Sequence, residues 1–139
     1  MKVKINCQTP IFPMPVLMVA TYNDDNTIDV MNAAWGMMQD MDHIIINVDT
    51  SHQTANNIKR RKAFTVSLAD YNHLKEADYL GLISAKNDID KFKNSSLSAT
   101  KSSLVDAPII NEFPLCMECE LVEYQEGNTG CGVLGKIVC

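Results

Sequence analysis

The sequence predicts a mainly β domain of the α+β class, an antiparallel barrel of about six strands with two or three short helices. Three observations favour this fold. Short apolar runs with two-residue alternation recur along the chain, clusters of Asn, Asp and Gly separate them, and only two segments show a longer helical pattern. Antiparallel strands with two interposed helices are typical of a barrel and not of a doubly wound parallel sheet.

Two strands near the N-terminal end form a predicted hairpin. Residues 16–20 are apolar, residues 27–34 resume as a strand, and the Asn and Asp residues between them supply turn chemistry. In the second strand Ile28 and Val30 alternate with their neighbours, which include Asp29. This alternation indicates one apolar and one polar face.

A strand and a helix follow the hairpin. Residues 44–48 are the most β-branched run of the chain and predict a central strand. Residues 55–62 end in four cations, as helix C-termini prefer. Residue types that cap helices stand just ahead of them, at Thr50, Ser51 and Thr54.

The middle of the chain adds a fourth strand over residues 63–69 and an amphipathic helix over residues 73–84. The apolar residues of this helix recur at three-residue steps: Leu74, Ala77, Leu80 and Ile83. Residues 88–93 predict one further helical turn, and the polar residues 94–103 predict a surface loop. Strands return at residues 115–124 and 131–139, joined by a turn around Gly127.

Length and charge limit the possible functions. A chain of 139 residues, 46% of them hydrophobic, suits one core, so we treat residues 1–139 as a single domain. The net charge of -5 gives no general attraction for nucleic acid or anionic membranes. The longest apolar run, residues 11–20, is far shorter than the roughly 20 residues of a membrane span. We therefore expect a soluble, cytoplasmic protein.

The five cysteines predict free thiols and no metal site. Their odd number and irregular spacing fit a reducing compartment. Cys116 and Cys119 form a CxxC pair, but this spacing on a strand points the two side chains to opposite faces. No second pair or histidine cluster completes a zinc site.

The segment before the predicted helix is a candidate anion site. Thr50, Ser51 and Thr54 supply hydroxyl groups, and the free N–H groups of a helix N-terminus attract a phosphate. The same residue types cap helices that bind no ligand, so plain capping stays the alternative.

The only tryptophan, Trp35, marks a second candidate site. The small residues Ala33 and Ala34 beside it leave room for a planar ring, whose polar edge Asn32 can bond. The alternative is a core tryptophan beside a bend.

Taken together, these segments resemble the flavin reductase and flavoredoxin family over essentially the whole chain. The matching stretches are PVLMVAT (15–21), DVMNAAWG (29–36), TANNI (54–58), DYLGLIS (78–84), DKF (90–92), API (107–109) and LCMECE (115–120). The resemblance implies a homodimer of split β-barrels with FMN near the subunit interface. It implies that FMN passes electrons on from a nicotinamide nucleotide, NAD(P)H, or from a protein donor, without a catalytic side chain.

The resemblance also implies cofactor contacts. The residues along the flavin ring would be Asn32, Ala33, Ala34 and Trp35, and those at the phosphate would be Thr50, Ser51 and Thr54. Lys91 would place a positive charge near the cofactor, where it stabilises the phosphate and the reduced flavin.

Three departures from the family pattern support an alternative function. Asp29 stands where relatives commonly have Asn, Thr129 or a neighbour stands where many have His, and relatives usually continue beyond residue 139. The chain would then be a minimal or an incomplete version of the domain. The alternative is a non-catalytic split-barrel dimer that has weakened or lost flavin binding and serves as a binding module.

Overall fold

A computed structural model of the protein describes residues 3–4, 13–128 and 130–139. The strands within these ranges are β1 (Leu17–Tyr22), β2 (Ile28–Ala33), β3 (Gly36–Met38), β4 (His43–Val48), β5 (Ala63–Leu68), β6 (Ala99–Lys101), β7 (Pro108–Ile110), β8 (Leu115–Glu126) and β9 (Cys131–Ile137). The helices are α1 (Gln53–Arg61), α2 (Leu74–Leu82) and α3 (Lys91–Asn94), and a 3-10 turn spans Tyr71–His73. None of these helices is long and apolar enough to cross a membrane.

Seven strands form one sheet in the order β2-β1-β5-β8-β9-β4-β3, and every neighbouring pair is antiparallel. β2 also approaches β4, so the sheet is curled into an open barrel. β6 and β7 form a separate two-stranded ribbon. The mainly β, antiparallel architecture predicted from the sequence is confirmed.

Hydrophobic clusters cover both faces of the sheet around β1. On the inner face, Val19 and Phe64 are fully buried, and α1 packs on them through Ile58. On the other face, Met18 is fully buried in a second cluster to which α2 contributes Leu80. Strands in this part of the sheet therefore have no face turned to solvent.

The structure contains more strands than the sequence predicts, because strands of three residues are too short to show alternation. β3 lies in the segment after Trp35 that reads as a bend. β6 lies inside residues 94–103, which we predicted to be a surface loop, and it pairs with β7. The loop prediction is therefore wrong over Ala99–Lys101.

The predicted apolar stripe of the second helix is only partly right. Ala77 and Leu80 are buried, but Leu74 is 60% exposed. The reason is that α2 begins at Leu74, after a separate 3-10 turn. That turn starts where Asp70 Oδ1 accepts a hydrogen bond from the backbone N–H of His73 at 3.0 Å.

The start of α1 differs from the predicted cap, whereas its end agrees with the prediction. The residue before the helix is His52, and no side chain caps this end. Ser51 donates its backbone N–H to Asp49 Oδ1 at 2.7 Å, and Thr54 lies inside the helix, so capping by Thr50, Ser51 or Thr54 is wrong. Three cations occupy the last turn, and Lys62 ends the helix at a φ of 59°.

We predict that Gly135→Ala destabilises the protein by about 1–3 kcal/mol. Gly135 lies in β9, and a Cβ there would lie 2.4 Å from Cζ of Phe64, a fully buried ring. Gly132 in the same strand is the matched control, because its Cβ would meet Asn47 Oδ1 at an ordinary 3.6 Å. Urea unfolding compares the two variants with the parent, and equal stability of both variants would contradict the prediction.

Candidate functional site

A cleft of about 290 Å³ opens where β2, the start of α1 and the segment after α2 meet. The remaining wall consists of Met31, residues 80–83 and Ala85, and the polar lining comprises Asp29, Asn32, His52, Gln53, Thr54, Ser84 and Lys91. Small-molecule sites span roughly 300–1,000 Å³. The cleft is therefore large enough for part of a cofactor-sized ligand.

A buried ion pair lies in this cleft. Lys91 Nζ is 3.2 Å from Asp29 Oδ1, and the two side chains are 4% and 1% exposed. Thr54 donates its hydroxyl hydrogen to Asp29 Oδ2 over 2.5 Å. Lys91 Nζ also donates to the carbonyl oxygen of Ile83 at 3.2 Å. A single carboxylate thus connects β2 to α1 and to α3.

Asp29 Oδ1 keeps an unused acceptor position. Among the described residues no hydrogen bond is donated to it, and the Lys91 ammonium lies 3.2 Å away as its ion partner. A buried polar atom without a hydrogen bond is costly unless water or a ligand supplies a donor. Because Asp29 lines the cleft, this oxygen is suited to accept from a ligand hydroxyl group.

The start of α1 adds backbone donors to the cleft. The first N–H groups of an α-helix have no acceptor within the helix, and no side chain caps this one. Gln53 and Thr54 both line the cleft. The positive end of the helix dipole adds to the effect, so this corner favours an anion.

Asn57 fixes the position of α1 against the hairpin of β1 and β2. This fully buried side chain donates to Thr21 Oγ1 at 3.0 Å and accepts from Gln53 Nε2 at 3.0 Å. The two bonds fix the first turn of α1 beside β1. Thr54, one residue after Gln53, is thereby held within reach of Asp29.

Gly81 of α2 allows the helix to approach β2 closely. A Cβ at this position would lie 1.9 Å from Nδ2 of Asn32. The amide of Asn32 therefore lies directly against the helix backbone at the wall of the cleft.

The structure brings together three of the cofactor contacts implied by the family resemblance: Asn32, Thr54 and Lys91. Lys91 is buried, so it is not an ordinary surface lysine. The remaining implied contacts do not line the cleft: Ala33, Ala34, Trp35, Thr50 and Ser51. Thr129, the second departure from the family pattern, lies outside the described residues.

Strand geometry explains part of this separation. Asn32 and Ala33 are neighbours in β2 and point to opposite faces, so Asn32 reaches the cleft while Ala33 packs in the inner core. Trp35 lies beyond the end of β2 and is 54% exposed.

Sequence reasoning missed the role of Asp29, and it missed the wall at residues 81–85. The alternation in β2 suggested that Asp29 lies on a polar face, yet Asp29 and Val30 are 1% and 0% exposed. The two predicted helices could have indicated this burial, because two helices can pack on both faces of the hairpin.

The CxxC pair behaves as the strand spacing predicts. Cys116 pairs with Ser67 and Cys119 pairs with Phe64, positions on opposite faces of β5. Burial raises the pKa of Cys119 to about 12, so its thiol stays protonated at neutral pH. The prediction that the pair binds no metal stays a prediction.

The comparisons with known proteins agree with this fold. The sequence model of the family described as Flavin reductase like domain matches residues 9–139. No match was found among the curated proteins.

Several solved structures are similar to this chain in fold and sequence. Flavoredoxin of Desulfovibrio vulgaris (Miyazaki F) is 31% identical with a TM-score of 0.90, and the match covers 100% of this chain and 75% of that one. Flavoredoxin from Methanosarcina acetivorans is 27% identical with a TM-score of 0.87, covering 100% and 74%. The FMN-binding protein from Thermus thermophilus, 14% identical with a TM-score of 0.84 and covering 100% and 77%, shows the shared fold alone.

These matches confirm the predicted split barrel, with its antiparallel sheet and three helices. The match to the family model extends over most of the chain and includes every element that forms the cleft. The chain therefore belongs to the family of flavin reductase like domains.

Proposed function

We propose that the protein is a cytoplasmic FMN-binding redox protein, flavin reductase-like or flavoredoxin-like, that takes electrons from NAD(P)H or a protein donor. The observation that carries the proposal is the donor set of the cleft. A helix start, a buried ammonium and an unused carboxylate oxygen surround one cavity in a chain of this family.

The residues of the cleft fit the polar end of FMN. Its phosphate suits the N–H groups at the start of α1 and the ammonium of Lys91. The hydroxyl groups of its ribityl chain suit the free acceptor on Asp29. A cavity of about 290 Å³ matches this end of the molecule and leaves the flavin ring outside it.

The bound flavin would supply the redox chemistry, since a flavin accepts and returns electrons or a hydride. The task of the chain is to bind and orient the polar end of the cofactor. Leu80 and Ile83, which also line the cleft, would shield that end from water. This division of labour requires no side-chain acid, base or nucleophile.

One observation favours the second candidate, a split-barrel dimer with weakened or lost flavin binding that serves as a binding module. The ammonium of Lys91 is already neutralised by Asp29. A cleft with less free positive charge holds an anionic cofactor less tightly.

We predict that Lys91→Gln weakens FMN binding by about ten- to hundredfold. The change leaves the carboxylate of Asp29 unopposed beside the phosphate, and this range is the size of one charged interaction, roughly 1.5–3 kcal/mol. Titration of flavin fluorescence measures the dissociation constant. Thermal unfolding without flavin reports the separate cost to the fold.

Lys93 is the matched control, because it is an exposed lysine of the same helix. Lys93→Gln removes the same charge from the protein and should leave FMN binding unchanged. If both variants bind FMN like the parent, the cleft is not the phosphate site. If the parent itself binds no FMN, the binding-module candidate replaces the redox proposal.

We also propose that the protein is a homodimer. The row formed by Met37, Ile45 and Leu134 runs across β3, β4 and β9 on the outer face of the sheet. Met37 is 68% exposed, and β3 is an edge strand of the sheet. An apolar row beside an open strand edge is a surface that a second copy can cover.

We predict that Met37→Glu shifts the protein from dimer to monomer, because it places a charge within this apolar row. Light scattering over a concentration series measures the molecular mass. Met41→Glu is the control, since Met41 is 98% exposed and lies outside the row. A monomeric parent, or equal effects of both changes, would rule out this interface.

A further inference from the structure

The family resemblance assigns Thr54 to the phosphate and Lys91 to the positive charge near it. In the structure both side chains contact Asp29. Thr54 donates its hydroxyl hydrogen to Oδ2, and the Lys91 ammonium lies 3.2 Å from Oδ1. The formal charges of the pair cancel. The buried positive charge in this cleft is therefore not free for a ligand.

A phosphate that approaches Lys91 also approaches the carboxylate beside it. Nζ and Oδ1 are 3.2 Å apart, so an anion that contacts the ammonium also lies close to the carboxylate. Both groups are almost fully buried, so water screens this repulsion poorly. The phosphate and Asp29 thus compete for one ammonium.

Asp29 repels a phosphate but can attract a neutral hydroxyl group. Asp29 Oδ1 has no hydrogen bond among the described residues. A neutral sugar-alcohol hydroxyl can donate to this oxygen, and a hydrogen bond to a charged acceptor is stronger than one to a neutral acceptor. The same carboxylate that repels phosphate therefore attracts the ribityl chain.

We propose that Asp29 determines the flavin specificity of the cleft. Its carboxylate accepts a hydroxyl of the ribityl chain and competes with the terminal phosphate for Lys91, so FMN gains little over riboflavin and stays exchangeable. The proposal rests on the proposed function, in which the polar end of a flavin enters this cleft.

The test compares dissociation constants for FMN and riboflavin in four proteins: the parent, Asp29→Asn, Lys91→Gln and the double variant. The measured quantity is the preference for FMN, the riboflavin constant divided by the FMN constant. Asp29→Asn should raise it by about ten- to hundredfold, the size of one charged hydrogen bond. Lys91→Gln should lower it.

The double variant carries no charge at either position and should return the preference to within about threefold of the parent. It also guards against misfolding, since it leaves no unpaired buried charge. The preference for FMN would then follow the net charge of positions 29 and 91. It would be highest in Asp29→Asn, where this charge is positive, and lowest in Lys91→Gln, where it is negative. The parent and the double variant, with no net charge, would lie between them. A purely structural role would change both dissociation constants together and leave their ratio constant.

Three results would overturn the proposal. An unchanged ratio in Asp29→Asn, with flavin still bound, would show that Asp29 does not discriminate, and would leave the proposed function intact. A lowered ratio would show that Asp29 holds Lys91 in place for the phosphate. A parent that binds neither flavin would remove the proposed function, and this inference with it.

Discussion

The buried carboxylate of Asp29 is the constraint on which the cleft depends. It binds the ammonium of Lys91 and the hydroxyl of Thr54, so one side chain joins a strand and two helices. Removing one partner of a buried ion pair costs about 3–5 kcal/mol, because the remaining charge loses its compensation. The elements around the cleft are therefore tied to one buried pair of charges that lines it.

Further hydrogen bonds connect this ion pair and its surroundings to the other walls of the cleft. Lys91 also binds the carbonyl oxygen of Ile83, which ties the segment after α2 to the same cluster. Asn57 fixes the first turn of α1 from the other side. A rigid support of this kind places ligand donors accurately without loops that must close.

The sequence predicted well the elements that have a clear period. β5, β8 and β9 lie where alternation placed them, and the cations at the end of α1 lie in its last turn. Strands of three residues, such as β3 and β6, carry too few positions for a period to show. Their existence follows from pairing partners such as β7, which local sequence does not reveal.

The candidate site was less predictable, for two physical reasons. A run such as residues 32–35 was treated as one surface, although adjacent strand residues point to opposite faces. Asp29 was placed on a polar face because alternation assumes that one face meets water, whereas α1 covers the face of β2 that carries Asp29 and Ala33. Burial of a charge depends on partners 25 and 62 residues away in the sequence, as at Thr54 and Lys91.

The close contact between Gly81 and Asn32 is possible only because glycine has no Cβ atom. Any side chain at position 81 would displace the amide of Asn32 or push α2 outward. The first movement would fill the cavity, and the second would draw Ile83 away from Lys91. Gly81 is thus a spacer, and the shape of the cleft depends on the absence of a side chain at this position.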